Sequence, residues 1–331
     1  VGIYSAGIGK KQPWCDIVCG GVQSMYKKAA NLGHRDIIII DEAHLLNAES
    51  EGMYVKLINE LKKINPYLKI VGYTATDWRT KGGSLTGQHN SIFTDIVYEI
   101  GISELIKRGF LSPLISKSSL IQANMQGVKM TAGEFNLKQA EVAIDRDELT
   151  QAALDEIERL AVGRKKFLIF CAGIKHSVHV MEALQARGKT ANIITCETPR
   201  NLREKILNNF KNNQYEEYLV NNAVLTTGVD LPNIDCIILL RATMSSVLFI
   251  QMLGRGMRLF TGKTNCLVLD FAGNIERFGA VDLISRPSGK NSEGKSDKVG
   301  IAPQRICANC REPVLIMMKR CPSCDYEFPE D

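Results

Sequence analysis

Short apolar runs alternate with stretches whose apolar residues recur at helical spacing. Residues 16–19 read as a strand and residues 22–32 as a helix. Ile37–Ile40 is a run of four β-branched residues and predicts a strand buried on both faces, as inside a parallel sheet. Residues 50–64 place Met53, Leu57, Ile58, Leu61 and Ile64 at helical spacing, and residues 68–73 read as a third strand. Residues 76–95 are rich in Gly, Ser, Thr and Asn and read as a loop, and residues 103–113 as a helix ending in a crossing segment. A second cycle starts near residue 116, with a long helical pattern over 138–162. Strands are predicted at 167–171, 191–195, within 218–226, at 236–240 and at 266–270, with helices at 178–187 and 201–211. This alternation predicts an α/β fold with two parallel, helix-covered lobes, over residues 1–115 and 116–285. Residues 286–302 are polar and Gly/Ser-rich and read as a flexible linker, which sets off a module at 303–331.

Composition narrows the class. The 331 residues are 45% hydrophobic and 23% charged, ordinary for a globular protein. No apolar run approaches the ~18 residues of a membrane span. A net charge of +5 permits nucleic-acid binding without demanding it. Of ten cysteines, six lie in or near apolar runs, Cys171, Cys236 and Cys266 among them, and read as free thiols. The other four cluster at the C-terminus. A reducing, cytoplasmic compartment is expected.

Candidate chemistry sits at the ends of predicted strands. Asp41-Glu42-Ala43-His44 follows the isoleucine run, where α/β sheets bind ligands. One carboxylate suits hydrated Mg²⁺ and the next suits polarising a water. A plain strand end with solvated acids is the alternative. Thr74-Ala75-Thr76 follows the third strand. In Val224-Leu225-Thr226-Thr227-Gly228-Val229-Asp230, Gly228 permits close backbone approach, and Asp230 suits a ribose or a facing arginine. If Gln251-Met252-Leu253-Gly254-Arg255-Gly256-Met257-Arg258 opens a helix, Gln251, Arg255 and Arg258 fall at i, i+4 and i+7 on one face. Guanidiniums there match the oxygens of a phosphate. Finally, Cys307-x-x-Cys310 and Cys321-x-x-Cys324, ten residues apart, suit tetrahedral Zn²⁺, with an iron–sulfur centre as the alternative. Such a module could contact DNA, contact a partner or simply cap the fold.

In that order and spacing, these segments resemble motifs II, III, V and VI of superfamily 2 helicases. Val22-Gln23-Ser24 is similar to the family's nucleic-acid-contacting segment, and Phe170-Cys171-Ala172 to motif IV. Tyr4-Ser5-Ala6-Gly7, Leu269-Asp270-Phe271-Ala272-Gly273-Asn274 and the cysteine module narrow the match to RadD-type DNA repair helicases of bacteria and phages. The resemblance implies two RecA-like lobes, the first incomplete, and an ATP-dependent helicase or translocase that uses ATP, Mg²⁺ and Zn²⁺. Asp41 would hold Mg²⁺ and Glu42 the attacking water. His44, Thr74 and Thr76 would couple nucleotide state to lobe movement. Gly228 and Asp230 would lie near the ribose, and Gln251, Arg255 and Arg258 would close on the γ-phosphate across a gap from the acidic pair. Gln23, Ser24, Thr226 and Thr227 would touch nucleic acid, DNA rather than RNA. Single-strand-binding or repair proteins are the implied partners, without a membrane.

The family's phosphate loop, Gly-x-x-x-x-Gly-Lys-Ser/Thr, is not found. Gly262-Lys263-Thr264 has Met257 at the first position, Gly188-Lys189-Thr190 has Ala183, and Gly9-Lys10-Lys11 has Tyr4. Only 40 residues precede Asp41. The expectation is a fragment that lacks its first strand and loop and alone binds ATP poorly. The competing readings are the motor of a restriction system and a non-catalytic zinc-ribbon binding protein.

Overall fold

The computed structural model describes residues 1–46, 52–76, 78–79, 83–87, 91–119, 121–131, 133–226, 228–281 and 304–329. They divide into two units, Val1–Glu99 and Ile100–Asp331. The expected linker at 286–302 and Thr227 lie outside the described residues. No described helix is long and apolar enough to cross a membrane.

In the first unit, β1 (Gly2–Ser5) pairs antiparallel with β2 (Lys10–Lys11) and parallel with β3 (Val18–Gly20). The predicted helix over 22–32 is instead one turn of α-helix, α1 (Val22–Met25), followed by a 3₁₀ turn at Ala29–Leu32. Gly21 offers no side-chain cap, and Lys28 leaves helical geometry at φ −133°, so the costly helical nucleus is not extended. β4 (Ile37–Ile40) pairs parallel with β5 (Lys69–Gly72), and α2 (Met53–Ile64) connects them, burying Leu57, Ile58 and Leu61. β4 is not buried on both faces. Ile40 is 4% exposed, whereas Ile37 and Ile39 are 56% and 66% exposed. Ile38 and Ile40 pack with Ala43, Leu46 and Ile58 on one face only. β6 (Trp78–Arg79) and β7 (Gly83–Ser84) form a short antiparallel pair.

The second unit opens with α3 (Ile102–Lys107). Its centre is a six-stranded, all-parallel sheet in the order β12-β13-β11-β14-β15-β8. These are β8 (Leu114–Ser118), β11 (Lys166–Cys171), β12 (Ala191–Ile194), β13 (Glu217–Asn221), β14 (Cys236–Leu240) and β15 (Cys266–Asp270). β11, β13, β14 and β15 are buried at every position. Such runs, apolar on both faces, mark a helix-covered parallel sheet. A hairpin of β9 (Met130–Thr131) and β10 (Glu134–Phe135) precedes the helices. The long pattern at 138–162 splits into α4 (Leu137–Ile144) and α5 (Asp147–Leu160). Arg146 is extended there, and the Asp145 carboxylate lies 2.9 Å from His179 Nδ1. α6 (Ile174–Ala186), α7 (Arg200–Asn212), α8 (Ser246–Gly254) and α9 (Asn274–Phe278) follow in turn. Ala153, Leu154 and Ile157 of α5 and Val180 and Leu184 of α6 seal the core. A last hairpin pairs β16 (Gln304–Ile306) with β17 (Pro313–Leu315). Cys171, Cys236 and Cys266 are buried, but Cys19 and Cys196 are exposed.

Candidate functional site

In the first unit, β4 delivers Asp41 and Glu42 at its carboxyl end. Glu42 takes left-handed geometry (φ 51°, ψ 48°), which costs an L-residue about 1 kcal/mol or more. That turn starts a one-turn 3₁₀ helix, Ala43–Leu45, tied to β5 where Ala43 N donates to the Tyr73 carbonyl at 2.9 Å. Gly72 is required beneath it. A Cβ there would stand 2.9 Å from Ala43 Cβ and 2.5 Å from the Phe93 ring.

The turn buries His44, 8% exposed, against Thr74. Its Nδ1 lies 2.9 Å from Thr74 Oγ1 and 3.3 Å from Glu42 Oε2. Thr74 Oγ1 donates its only hydrogen to the Thr76 carbonyl at 2.7 Å and accepts from Thr76 N at 3.2 Å. Towards the imidazole it is therefore an acceptor, which assigns the proton to Nδ1 of His44. The same N–H faces the Glu42 carboxylate. Glu42, His44, Thr74 and Thr76 thus form one connected group. Asp41 is exposed, and its Oδ1 accepts from Glu42 N at 2.9 Å. Burial first, and then the charge of Asp41, raises the Tyr54 hydroxyl above its usual pKa. Ser24 Oγ of α1 accepts from Ala6 N at 3.0 Å, and Gln23 is exposed.

In the second unit, the Gln251–Arg258 segment closes a helix rather than opening one. Gln251 is in the last turn of α8, Arg255 is its C-cap, and Arg258 lies beyond it. The chain packs tightly just beyond the helix end, where a Cβ on Gly256 would meet Cys266 Sγ at 2.5 Å and Ile237 Cδ1 at 2.8 Å. The two arginines converge nonetheless, because both serve one turn. Arg255 donates from Nε and Nη2 to the Thr226 carbonyl (3.0 and 2.6 Å) and from Nη1 to the Val229 carbonyl (2.7 Å). Arg258 Nη1 donates to the Val229 carbonyl at 3.0 Å and to the Asp230 carboxylate. Asp230 thus holds an arginine of its own unit. Gly228 sits in that turn at φ 72°, and the buried Thr226 donates through Oγ1 to the Ala223 carbonyl at 2.9 Å. At least three of Arg255's five N–H donors are spent on backbone.

A polar clamp between sheet and helix joins Asp270 and Asn274, in the segment matched above to RadD-type helicases, to Glu134, Thr243 and Arg277, which the motif reading did not single out. Thr243 lies in the loop that leads to α8. Its N donates to Asn274 Oδ1 at 3.0 Å, its carbonyl accepts from Arg277 at 2.9 Å, and its hydroxyl donates to Glu134 at 2.5 Å. Asp270 underlies it, 0% exposed, accepting from Ala272 N, Asn274 Nδ2 and Ile275 N. Burial pushes its carboxyl up to about 6 against the lowering effect of those bonds. Ser245 then caps α8, accepting from Leu248 N at 3.2 Å. The signal for Asp270 and Asn274 was that resemblance, together with an acid ending an apolar strand. Glu134 had none.

The four cysteines of the last hairpin meet. Their Sγ atoms lie within 4.8 Å of one another, with Cys307–Cys324 at 3.7 Å and Cys310–Cys321 at 3.5 Å. A disulfide needs about 2.05 Å. Tetrahedral Zn²⁺ with bonds of about 2.3 Å sets its sulfurs about 3.8 Å apart, so the donor set fits zinc. Among the free thiols of the set, burial raises Cys310 and Cys321, whereas, although burial opposes it, hydrogen bonds from Asn309, Tyr326 N and neighbouring thiols lower Cys324 to about 6.

Residues 150–260 match the helicase conserved C-terminal domain. IRC3 of Saccharomyces cerevisiae, named as an ATP-dependent helicase, is 30% identical over 279 residues, 82% of this chain and 39% of that protein. The chain thus carries a helicase C-terminal domain and is similar to superfamily 2 helicases. The EcoAI type I restriction enzyme endonuclease subunit of Escherichia coli is 25% identical over 268 residues, 73% of this chain and 32% of that subunit. A fragment structure named as the HsdR subunit of a type I restriction enzyme from Vibrio vulnificus superposes with a TM-score of 0.62 at 20% identity, covering 84% of this chain and 51% of that one. The last likeness shows the fold, that of the RecA-like helicase lobes. The chain spans 39% of the length of each of the two IRC3-type relatives that it matches.

Proposed function

We propose that this chain supplies motor elements of an ATP-dependent DNA helicase or translocase. The observation that carries the reading is the His44 bridge. It ties Glu42, at a strand end suited to Mg²⁺ and water, to Thr74 and Thr76 of the following strand. In this reading Asp41 holds hydrated Mg²⁺, and Glu42 orients or deprotonates the attacking water. Gln251, Arg255 and Arg258 meet the γ-phosphate, and Gly228 and Asp230 lie near the ribose. Gln23, Ser24, Thr226 and Thr227 touch the nucleic acid. Its backbone phosphates give most of the contacts, so binding is sequence-tolerant and salt-sensitive. DNA is the proposed substrate because one relative is named as a restriction endonuclease subunit. RadD-type repair work in a reducing bacterial or phage-infected cytoplasm is the finer reading, supported by the cysteine module and the buried free thiols. Cys307, Cys310, Cys321 and Cys324 hold Zn²⁺ there.

The test is DNA-stimulated phosphate release by the protein that contains this chain. Glu42→Gln is expected to lower the rate about 10²–10⁴-fold while ATP is still bound. Unchanged turnover in Glu42→Gln, or no DNA-stimulated turnover in the parent, refutes the proposal. DNA cleavage by the same protein would instead support the restriction-motor reading, which the type I relatives favour.

A further inference from the structure

Among the described residues, strand β8 is the last strand of the six-stranded sheet, paired on one side only, with β15. Its outer edge is an unpaired row of backbone donors and acceptors, a liability that proteins cover. The four-cysteine module meets that edge at its carboxyl end. Ser118 N donates to the Arg311 carbonyl at 3.0 Å, and Arg311 Nε donates back to the Ser118 carbonyl at 3.2 Å. A second tie lies at the other end of the hairpin. Ala280 N donates to Gln304 Oε1 at 3.1 Å, and a Cβ on Gly279 would meet Gln304 Nε2 at 2.4 Å. The glycine is what lets the glutamine lie flat on the chain.

Arg311 is held for this contact by the knuckle that precedes it. Its N donates to the Cys307 carbonyl at 2.9 Å, and it stands at φ 66°, a left-handed conformation that arginine adopts only when its surroundings impose it. The module's own core is small: Val314, Phe328 and the cysteines themselves. So little apolar burial cannot hold such a turn, and in modules of this kind metal binding supplies the folding free energy.

We infer that the four-cysteine module is a metal-braced cap on the open edge of the six-stranded sheet, fastened through Arg311 and Gln304, rather than an arm that moves freely on a tether. Metal occupancy then sets the stability of the β8 edge. The inference is independent of ATP turnover, because its readout is the protection of a single strand edge.

The zinc-loaded protein is compared with its chelator-treated form and with zinc-loaded Arg311→Gly/Gln304→Ala. That variant keeps all four cysteines, and glycine accepts the left-handed turn. Zinc content and amide hydrogen exchange are measured on peptides covering 114–118 and, as the internal control, 166–171. Both treatments are expected to speed exchange at Ser118 roughly ten-fold or more. Chelation unfolds the knuckle that presents the Arg311 carbonyl, and the variant removes the Arg311 Nε and Gln304 ties that hold that retained carbonyl against Ser118 N. The variant should retain one zinc per chain and unchanged exchange in β11. Should chelation unfold the whole unit, the metal-retaining variant decides. Unchanged Ser118 exchange in that variant overturns the inference, and so does a chain that takes up no zinc in stoichiometric amount.

Discussion

Arg255 lends itself to a sharp measurement, because its guanidinium is bound to the chain's own backbone. Three charge-assisted bonds run from it to the Thr226 and Val229 carbonyls, bracketing the turn around Gly228. A bond to a charged group contributes about 1.5–3 kcal/mol net. Two of the three share one acceptor and the side chain is half-buried, so Arg255→Ala is expected to cost about 2–4 kcal/mol in the second unit. Arg255→Lys keeps a cation that reaches one carbonyl and should recover about 1 kcal/mol. Arg258→Ala should cost about 1 kcal/mol or less. Its ion pair with Asp230 is solvent-exposed, and such pairs contribute little. Both tryptophans, Trp14 and Trp78, belong to the first unit, so tryptophan emission reports the other half of the chain. Native-state hydrogen exchange on peptides from β11 and β14 is therefore the assay. If Arg255→Ala leaves those amides within about 0.5 kcal/mol of the parent, the brace is not real, and the arginine serves only a ligand.

Thr74→Val keeps the shape but removes the hydroxyl's bonds to His44 Nδ1 and to the Thr76 backbone, leaving Nδ1 its longer contact with Glu42 Oε2. It should lower the stability of the first unit by about 1–3 kcal/mol, read as an earlier urea midpoint by Trp14 fluorescence, while Thr74→Ser stays near the parent. An unshifted midpoint for the valine form would count against the bridge. Gly256→Ala forces a methyl into Cys266 and Ile237 and should cost about 1–3 kcal/mol, seen in the same exchange experiment on β14. Parental protection would show that the close approach is slack. For Asp270 the sign is fixed by burial. Its folded pKa is raised from 3.8 to about 6, so its neutral form favours the fold at low pH. That contribution is lost as pH rises from about 4 to 6, roughly 3 kcal/mol in all. The stability difference between Asp270→Asn and the parent should therefore change across that interval, and a pH-independent difference would refute the assignment.

The contrast between two apolar runs shows what local pattern can carry. Residues 236–240 and Ile37–Ile40 read alike, yet the first is buried at every position and the second leaves two isoleucines open. β-branching records a preference for the extended chain, whereas coverage of a second face depends on elements far away in sequence. The chemistry-bearing motifs were legible for the same reason. A carboxylate pair after a strand, or two cysteines on one knuckle, places its function within a single turn. Even so, the spacing argument for Gln251, Arg255 and Arg258 presupposed a continuous helix, and α8 ends at Gly254. The arginines still converge because they share carbonyl acceptors 26–29 positions away. What no local pattern revealed is the scaffolding that orients these motifs. Glu134 reaches Thr243 across 109 positions, and Arg311 reaches Ser118 across 193. Such contacts add no periodicity: Glu134 meets a hydroxyl far along the chain, and Arg311 bonds a backbone carbonyl of the kind every residue possesses, so no local pattern announces either. Substitutions at these remote anchors should therefore disturb the loop before α8 and the β8 edge while leaving every recognisable motif intact.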